Sequence, residues 1–79
     1  MDANQVAQTV MGVVAKVAKK DIAEITPDTR IAEDLGLKSM SRIEVAALIE
    51  DATEAFIDNF EIRKPKTVQE LIDLVASKL

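Results

Sequence analysis

The sequence predicts an all-α protein, an up-down bundle of three main helices plus one short helix. Apolar residues recur at steps of three and four in separate segments, which is the helical period. The 79 residues include only two Gly and two Pro, so the frequent turn signals of an all-β fold are missing. Hydrophobic residues make up 48% of the chain and only two are aromatic, which predicts an aliphatic core. A chain of this length has room for one domain, which we expect to cover residues 1–79.

The first helix is predicted from about Asn4 to Lys19. One of its sides is apolar because valines recur there at helical spacing: Val6, Val10, Val13, Val14 and Val17. We interpret this stripe as core packing and assign it no function.

A connection of roughly nineteen residues follows, and it contains the turn signal Thr26-Pro27-Asp28. Four apolar residues are expected to anchor it to the core: Ile22, Ile25, Ile31 and Leu35. Long ordered connections are more often functional than short ones, so its last residues are of interest.

The second helix is predicted from Ser39 to about Ala55, since no Gly or Pro interrupts this stretch. At 100° per residue it carries two apolar stripes on roughly opposite sides. These are Val45, Leu48, Ile49 and Ala52 on one side and Met40, Ile43 and Ala47 on the other. One stripe must face the bundle, and the other faces either a neighbouring loop or a partner protein.

The segment from Phe56 to Ile62 predicts a loop with a helix of one or two turns, which Pro65 ends. The next residues, Thr67-Val68-Gln69-Glu70, fit a capping box at the start of the last helix. The apolar face of that helix is predicted to be formed by Val68, Leu71, Ile72, Val75 and Leu79.

Composition excludes several classes of function. A net charge of -4 repels nucleic acids and anionic lipid, and it favours partner proteins with basic faces. The chain has no Cys and no His, which removes disulfides, the usual nucleophiles and bases, and ordinary zinc sites, so we expect no metal site and no enzyme. No segment predicts a signal peptide or a membrane span, and we expect a cytoplasmic monomer that does not insert into membranes.

Ser39 lies at the predicted start of the second helix, where a serine is usually an N-cap. Ser41-Arg42-Ile43-Glu44 also fits a capping box, so Ser41 can cap the helix and leave the Ser39 hydroxyl free.

The segment Asp34-Leu35-Gly36-Leu37-Lys38-Ser39-Met40 resembles the acyl carrier protein signature D-x-G-x-D-S-L. The resemblance extends over the whole chain, in family order, to the Thr-Val-Gln that opens the last helix. It implies that a phosphopantetheinyl transferase attaches phosphopantetheine from coenzyme A to Ser39 in a magnesium-dependent reaction. The thiol of this arm would carry acyl groups as thioesters, and separate enzymes would do the chemistry. At a helix start the phosphodiester would lie near unpaired N–H groups, and Gly36 would permit a tight approach before it.

In the family, acyl chains can also fold back between the helices. The residues expected to line such a space are Met40, Ile43, Ala47 and Ile57, for each of which ordinary packing is the alternative.

The chain departs from the family pattern around the serine. Lys38 stands in place of the usual Asp, Met40 in place of Leu, and Ser41 in place of a frequent acid, while Arg42 adds a second positive charge. We therefore expect an altered choice of partners and a specialised fatty acid, polyketide or lipid pathway, unless Lys38 is neutral drift. The predicted partner surface, for transferring, ligase or synthase enzymes with basic docking patches, comprises Lys38, Met40, Arg42, Ile43, Glu44, Ala47 and Asp51.

Besides an enzyme that would have to rely on carboxylates, two alternatives remain open at this point. The same fold without a cofactor would be an acidic interaction module that binds through its second helix, and Ser39→Ala would then leave its function intact. A peptidyl or aminoacyl carrier is the other, but its serine more often follows a Gly-Gly-His type sequence, and Leu35 to Met40 favours the acyl branch.

Overall fold

Side-chain caps set the start of two of the three helices in a computed structural model of residues 1–79. Helix α1 (Ala3–Ala18) begins at Asp2, whose carboxylate accepts a hydrogen bond from the Gln5 N–H at 2.8 Å. Helix α3 (Val68–Ser77) begins at Thr67, whose hydroxyl oxygen accepts one from the Glu70 N–H at 3.1 Å. The predicted capping box from Thr67 to Glu70 is therefore confirmed.

Helix α2 (Ser39–Thr53) lies between them, and two 3-10 turns complete the order of elements. The first turn (Ile22–Glu24) lies in the long connection, and the second turn (Glu61–Arg63) lies between α2 and α3. The all-α prediction of three main helices is confirmed, and the predicted short helix is the three-residue second turn. No helix combines the length and the hydropathy that crossing a bilayer requires.

The core consists of 17 buried apolar residues from every part of the chain, and none of them is aromatic. Helix α1 packs against both α2 and α3. Most predicted core positions are confirmed, including Val10, Ile49 and Val75, none of which is exposed to solvent. The predictions for Ile22 and Leu79 were wrong: Ile22 is 46% exposed on the first 3-10 turn, and Leu79 is 54% exposed beyond the end of α3.

Backbone hydrogen bonds order the long connection by pairing it with the start of α3. The Ile31 N–H donates to the Lys66 carbonyl at 2.9 Å, and the Val68 N–H donates to the Thr29 carbonyl at 3.0 Å. Arg30 and Thr67 form an isolated antiparallel bridge between these two bonds. The connection therefore has a fixed path even though it contains only one three-residue turn of regular structure.

Gly36 lies near the end of the connection with a φ of 66°, in the left-handed region. A Cβ atom at this position would have no neighbouring atom within 4 Å. The expectation that Gly36 permits a tight approach stays a prediction, and the positive φ is the feature of the chain that favours glycine here.

Candidate functional site

Ser39 is the first residue of α2, and it is exposed. The N-cap is Lys38, with extended backbone angles and no side-chain hydrogen bond to the helix. Ser41 lies inside the first turn, so the predicted capping box from Ser41 to Glu44 was wrong. Neither serine caps the helix, and the Ser39 hydroxyl is left free of that role.

The first turn of α2 offers unpaired backbone donors next to Ser39. The Arg42 N–H donates to the Lys38 carbonyl at 2.9 Å, and the three N–H groups before it have no carbonyl of the helix to pair with. The side chain of the N-cap residue, Lys38, accepts no hydrogen bond from these N–H groups. These donors, together with the positive end of the helix dipole, suit a phosphate group attached at this position.

The residues before Ser39 form a hydrogen-bonded turn. The Asp34 carboxylate accepts bonds from the backbone N–H of Arg30 at 2.8 Å and from its guanidinium at 3.0 Å. These bonds, the backbone one first, lower the pKa of Asp34. Leu37 is 5% exposed and anchors the chain to the core two residues before the serine. The segment that leads to Ser39 is therefore fixed by the hydrogen bonds of Asp34 and by the burial of Leu37.

Six of the seven predicted partner-surface residues are exposed: Lys38, Met40, Ile43, Glu44, Ala47 and Asp51. Met40, with 82% of its surface exposed, and Ile43, with 37%, border a shallow depression together with Ala47. The expectation that these three residues line the interior was therefore wrong, because the second apolar stripe of α2 lies at the surface. Ile57 alone of the four expected liners is buried, at 4% exposure.

Arg42, the seventh residue of the predicted surface, is half-buried and bonded within the protein. Its Nη1 atom donates to the carbonyls of Pro65 at 2.7 Å and Ile62 at 3.1 Å, with Arg63 at 3.5 Å. Burial lowers the pKa of Arg42, and Glu33 opposes this shift. Sequence reasoning missed this role, since the acceptors are main-chain groups 20 to 23 positions away, which leave no pattern in the sequence.

A small apolar cavity lies beside Arg42 at the centre of the bundle. Its volume is about 10 Å³, which is roughly the space of one water molecule. All three helices, the long connection and the second 3-10 turn contribute to its lining, which consists of Val14, Ile31, Leu37, Arg42, Val45, Ile62 and Leu71.

Comparison with known proteins gives a consistent result over nearly the whole chain. The phosphopantetheine attachment site family matches residues 8–75. The acyl carrier protein of Thermosynechococcus vestitus is 28% identical over 79 residues, which cover 100% of this chain and 98% of that protein. The acyl carrier protein of Rickettsia bellii strain RML369-C is 33% identical over 72 residues, which cover 91% of this chain and 84% of the relative.

Acyl carrier protein 2 of Arabidopsis thaliana, named as mitochondrial, is 30% identical over 98% of this chain and 61% of its own length. The family match includes the segment around Ser39, all of α2 and most of α1 and α3, and the similarity to the Thermosynechococcus vestitus protein covers the whole chain. The chain therefore belongs to the acyl carrier proteins, which carry phosphopantetheine and are carriers rather than enzymes.

Proposed function

We propose that phosphopantetheine is attached to the hydroxyl oxygen of Ser39. The observation that carries this proposal is the contrast among the three serines of the chain. Ser39 is exposed at an uncapped helix start, Ser41 is half-buried, and the Ser77 hydroxyl donates to the Leu74 carbonyl at 2.6 Å. Ser39 is therefore the exposed serine whose hydroxyl makes no hydrogen bond within the protein.

In the attachment step, the Ser39 oxygen attacks the phosphorus that bears the pantetheine arm in coenzyme A. The P–O bond to the adenosine bisphosphate breaks, and the hydroxyl proton is lost to the transferase or to solvent. The unpaired N–H groups of the first turn of α2 favour the resulting phosphodiester anion. The thiol of the arm then holds an acyl group as a thioester.

Intact mass spectrometry tests the attachment directly. The protein is incubated with coenzyme A, magnesium and a phosphopantetheinyl transferase of broad specificity. The unchanged protein and Ser41→Ala should each gain one phosphopantetheine, whereas Ser39→Ala should gain none. A gain in Ser39→Ala would move the site elsewhere, and no gain in any variant with several transferases would favour a cofactor-free interaction module.

The partner surface is part of this proposal. The exposed residues of this surface lie along α2 from its N-cap to its last turn, which supports docking of a transferase and of acyl-transferring, ligase or synthase enzymes. They are Lys38, Met40, Ile43, Glu44, Ala47 and Asp51. Arg42 belongs to the predicted surface too, but its bonds to main-chain carbonyls favour an internal role. The positive charge of Lys38 beside the serine supports a specialised pathway with its own partners.

We also propose that residues 1–79 act as one carrier domain and as a monomer. The shared core of α1, α2 and α3 and the net charge of -4, which opposes self-association, support this. A cytoplasmic location remains a prediction of the sequence, and one relative is named as mitochondrial.

A further inference from the structure

The last two carbonyl groups of the second 3-10 turn, those of Ile62 and Arg63, receive no backbone hydrogen bond, and this is where Arg42 acts. If the turn continued, the Ile62 carbonyl would accept a hydrogen bond from residue 65, but Pro65 has no N–H group. The Arg63 carbonyl would accept one from the Lys66 N–H, which donates instead to the Glu70 carboxylate at 2.6 Å. The guanidinium of Arg42 supplies the missing donor to this stretch.

These bonds fasten the second 3-10 turn to α2. Among the side-chain hydrogen bonds of the protein, only those of Arg42 join α2 to residues 61–65. A hydrogen bond from a charged donor to a carbonyl is stronger than one between neutral groups. Parting α2 from the turn therefore requires that Arg42 release its acceptors and leave them without a protein partner.

Arg42 also lies on α2 between the exposed Ser39 and the buried interior of the bundle. The two residues are three positions apart on α2, so their side chains lie on the same side of the helix. Ser39 is exposed, while Arg42 borders the central cavity. That cavity has room for about one water molecule. An alkyl chain can therefore enter only when the helices that line the cavity move apart.

We propose that Arg42 is a latch that keeps the bundle closed and so restricts the cargo to short or polar acyl groups, which remain outside the protein. A long alkyl chain outside the bundle would expose its whole apolar surface to water, whereas an acetyl, butyryl or hydroxylated group exposes little. The inference rests on the proposed attachment at Ser39, and it names the class of acyl group that this site carries.

The test compares butyryl and decanoyl thioesters on the phosphopantetheine form of three proteins. These are the unchanged protein, Arg42→Met, and the control Arg63→Met, which removes an exposed arginine whose side chain makes none of these bonds. One readout is the rate at which hydroxylamine cleaves the thioester. The other is the change in the backbone amide chemical shifts of Val45, Ile62 and Leu71, which line the cavity.

In the unchanged protein and in Arg63→Met, both thioesters should be cleaved at rates within about twofold, and the three amide shifts should be the same with either cargo. In Arg42→Met, the decanoyl thioester should be cleaved at least about fivefold more slowly than the butyryl one, with changed shifts at the cavity. Protection of decanoyl in the unchanged protein would overturn the latch, even if Arg42→Met does not fold. Equal cleavage of both thioesters in a folded Arg42→Met would overturn it too.

A second measurement does not depend on phosphopantetheine. Because the chain has no cysteine, Ser39→Cys introduces a single thiol, which decyl methanethiosulfonate converts to a decyl disulfide with loss of a proton and of methanesulfinate. The cavity amide shifts should not change on labelling when Arg42 is present, and they should change when Arg42→Met is added. The opposite pattern would refute the latch, whereas the absence of a phosphopantetheine mass gain refutes only the attachment at Ser39.

Discussion

Thr53 is one of two buried polar residues, and its hydroxyl serves the backbone at the point where α2 ends. It donates to the Ile49 carbonyl at 2.7 Å and accepts from the Ala55 N–H at 3.1 Å. Thr53→Val keeps the shape but leaves the buried Ala55 donor unpaired, which should lower the free energy of unfolding by about 1–2 kcal/mol.

Urea unfolding of Thr53→Val and Thr53→Ser would check this expectation. Serine retains the hydroxyl and loses only a methyl group, so it should keep the larger share of the stability. A larger loss in Thr53→Ser than in Thr53→Val would show that the methyl group contributes more than the hydroxyl and would contradict this expectation.

Near the start of α2, the Arg42 side chain also hydrogen-bonds to backbone groups. Arg42→Met should lower the free energy of unfolding by about 1.5–3 kcal/mol, since it removes a charged donor from carbonyls that have no other protein partner. Arg63→Met, which removes an exposed arginine nearby, should change it by less than about 0.5 kcal/mol. Urea unfolding distinguishes these cases, and similar values for the two variants would contradict the bonding.

Lys38 occupies the N-cap of α2 without capping it. Lys38→Asp should stabilise the protein by about 0.5–1 kcal/mol, because its carboxylate can accept from the free N–H groups of the first turn. The same change should raise the rate of modification by a standard carrier transferase, as it restores the residue usual in the family. Lys38→Gln removes the charge without adding a good cap, and an unchanged modification rate in both variants would mean that the charge is neutral for this partner.

Helices α1 and α2 end in the left-handed conformation at residues that are not glycine. Lys19 has a φ of 57° and Glu54 has a φ of 68°. Glycine adopts this conformation without the steric cost that a Cβ atom brings. Lys19→Gly and Glu54→Gly should therefore each raise the free energy of unfolding by about 0.5–1 kcal/mol, after the greater freedom of glycine in the unfolded chain is offset.

Thermal or urea unfolding of these variants measures the gain. Glu54→Ala is the matched control, because alanine removes the charge but keeps the Cβ atom and should give no stabilisation. If alanine stabilises as much as glycine, the charge of Glu54 and not its φ is the cause.

The three helices were predictable because their signals are local. The capping residues around Thr67 and the spacing of the valines in α1 are contained within a few turns of chain. The first 3-10 turn was missed although its signal is local, because the Asp21 carboxylate accepts from the Ala23 N–H and the Glu24 carboxylate accepts from the Asp21 N–H, as in a capping box. Ser39 stands out as a candidate site from the short motif around it, whereas the inward direction of Arg42 depends on carbonyls far along the chain.

Over the whole molecule, three carboxylates with lowered pKa values make the stability of the fold decrease at acid pH. Bonds from Arg30 lower the pKa of Asp34, the Glu61 N–H lowers the pKa of Asp58, and Lys78 lowers the pKa of Glu61. The unfolded chain then binds more protons than the folded one, so stability is present above pH of about 4–4.5 and falls as pH drops through the folded values.

Between about pH 6 and 8 stability should be nearly constant, because the chain has no histidine to titrate. Urea midpoints measured from pH 3 to pH 8 check both parts of the profile. Asp58→Asn and Glu61→Gln should each flatten the acid limb. A steep change near pH 7, or an acid limb unaffected by both variants, would contradict the assignment.

Because the core contains no aromatic rings, the choice of spectroscopic method for following this protein is restricted. The chain has no Trp or Tyr, and its two rings, Phe56 and Phe60, are 63% and 77% exposed. Intrinsic fluorescence and near-ultraviolet circular dichroism, which depend on aromatic side chains in fixed surroundings, would report little on its interior. Loosening of the bundle would be invisible to these optical methods and would appear instead in the methyl resonances of the buried Val, Ile and Leu side chains.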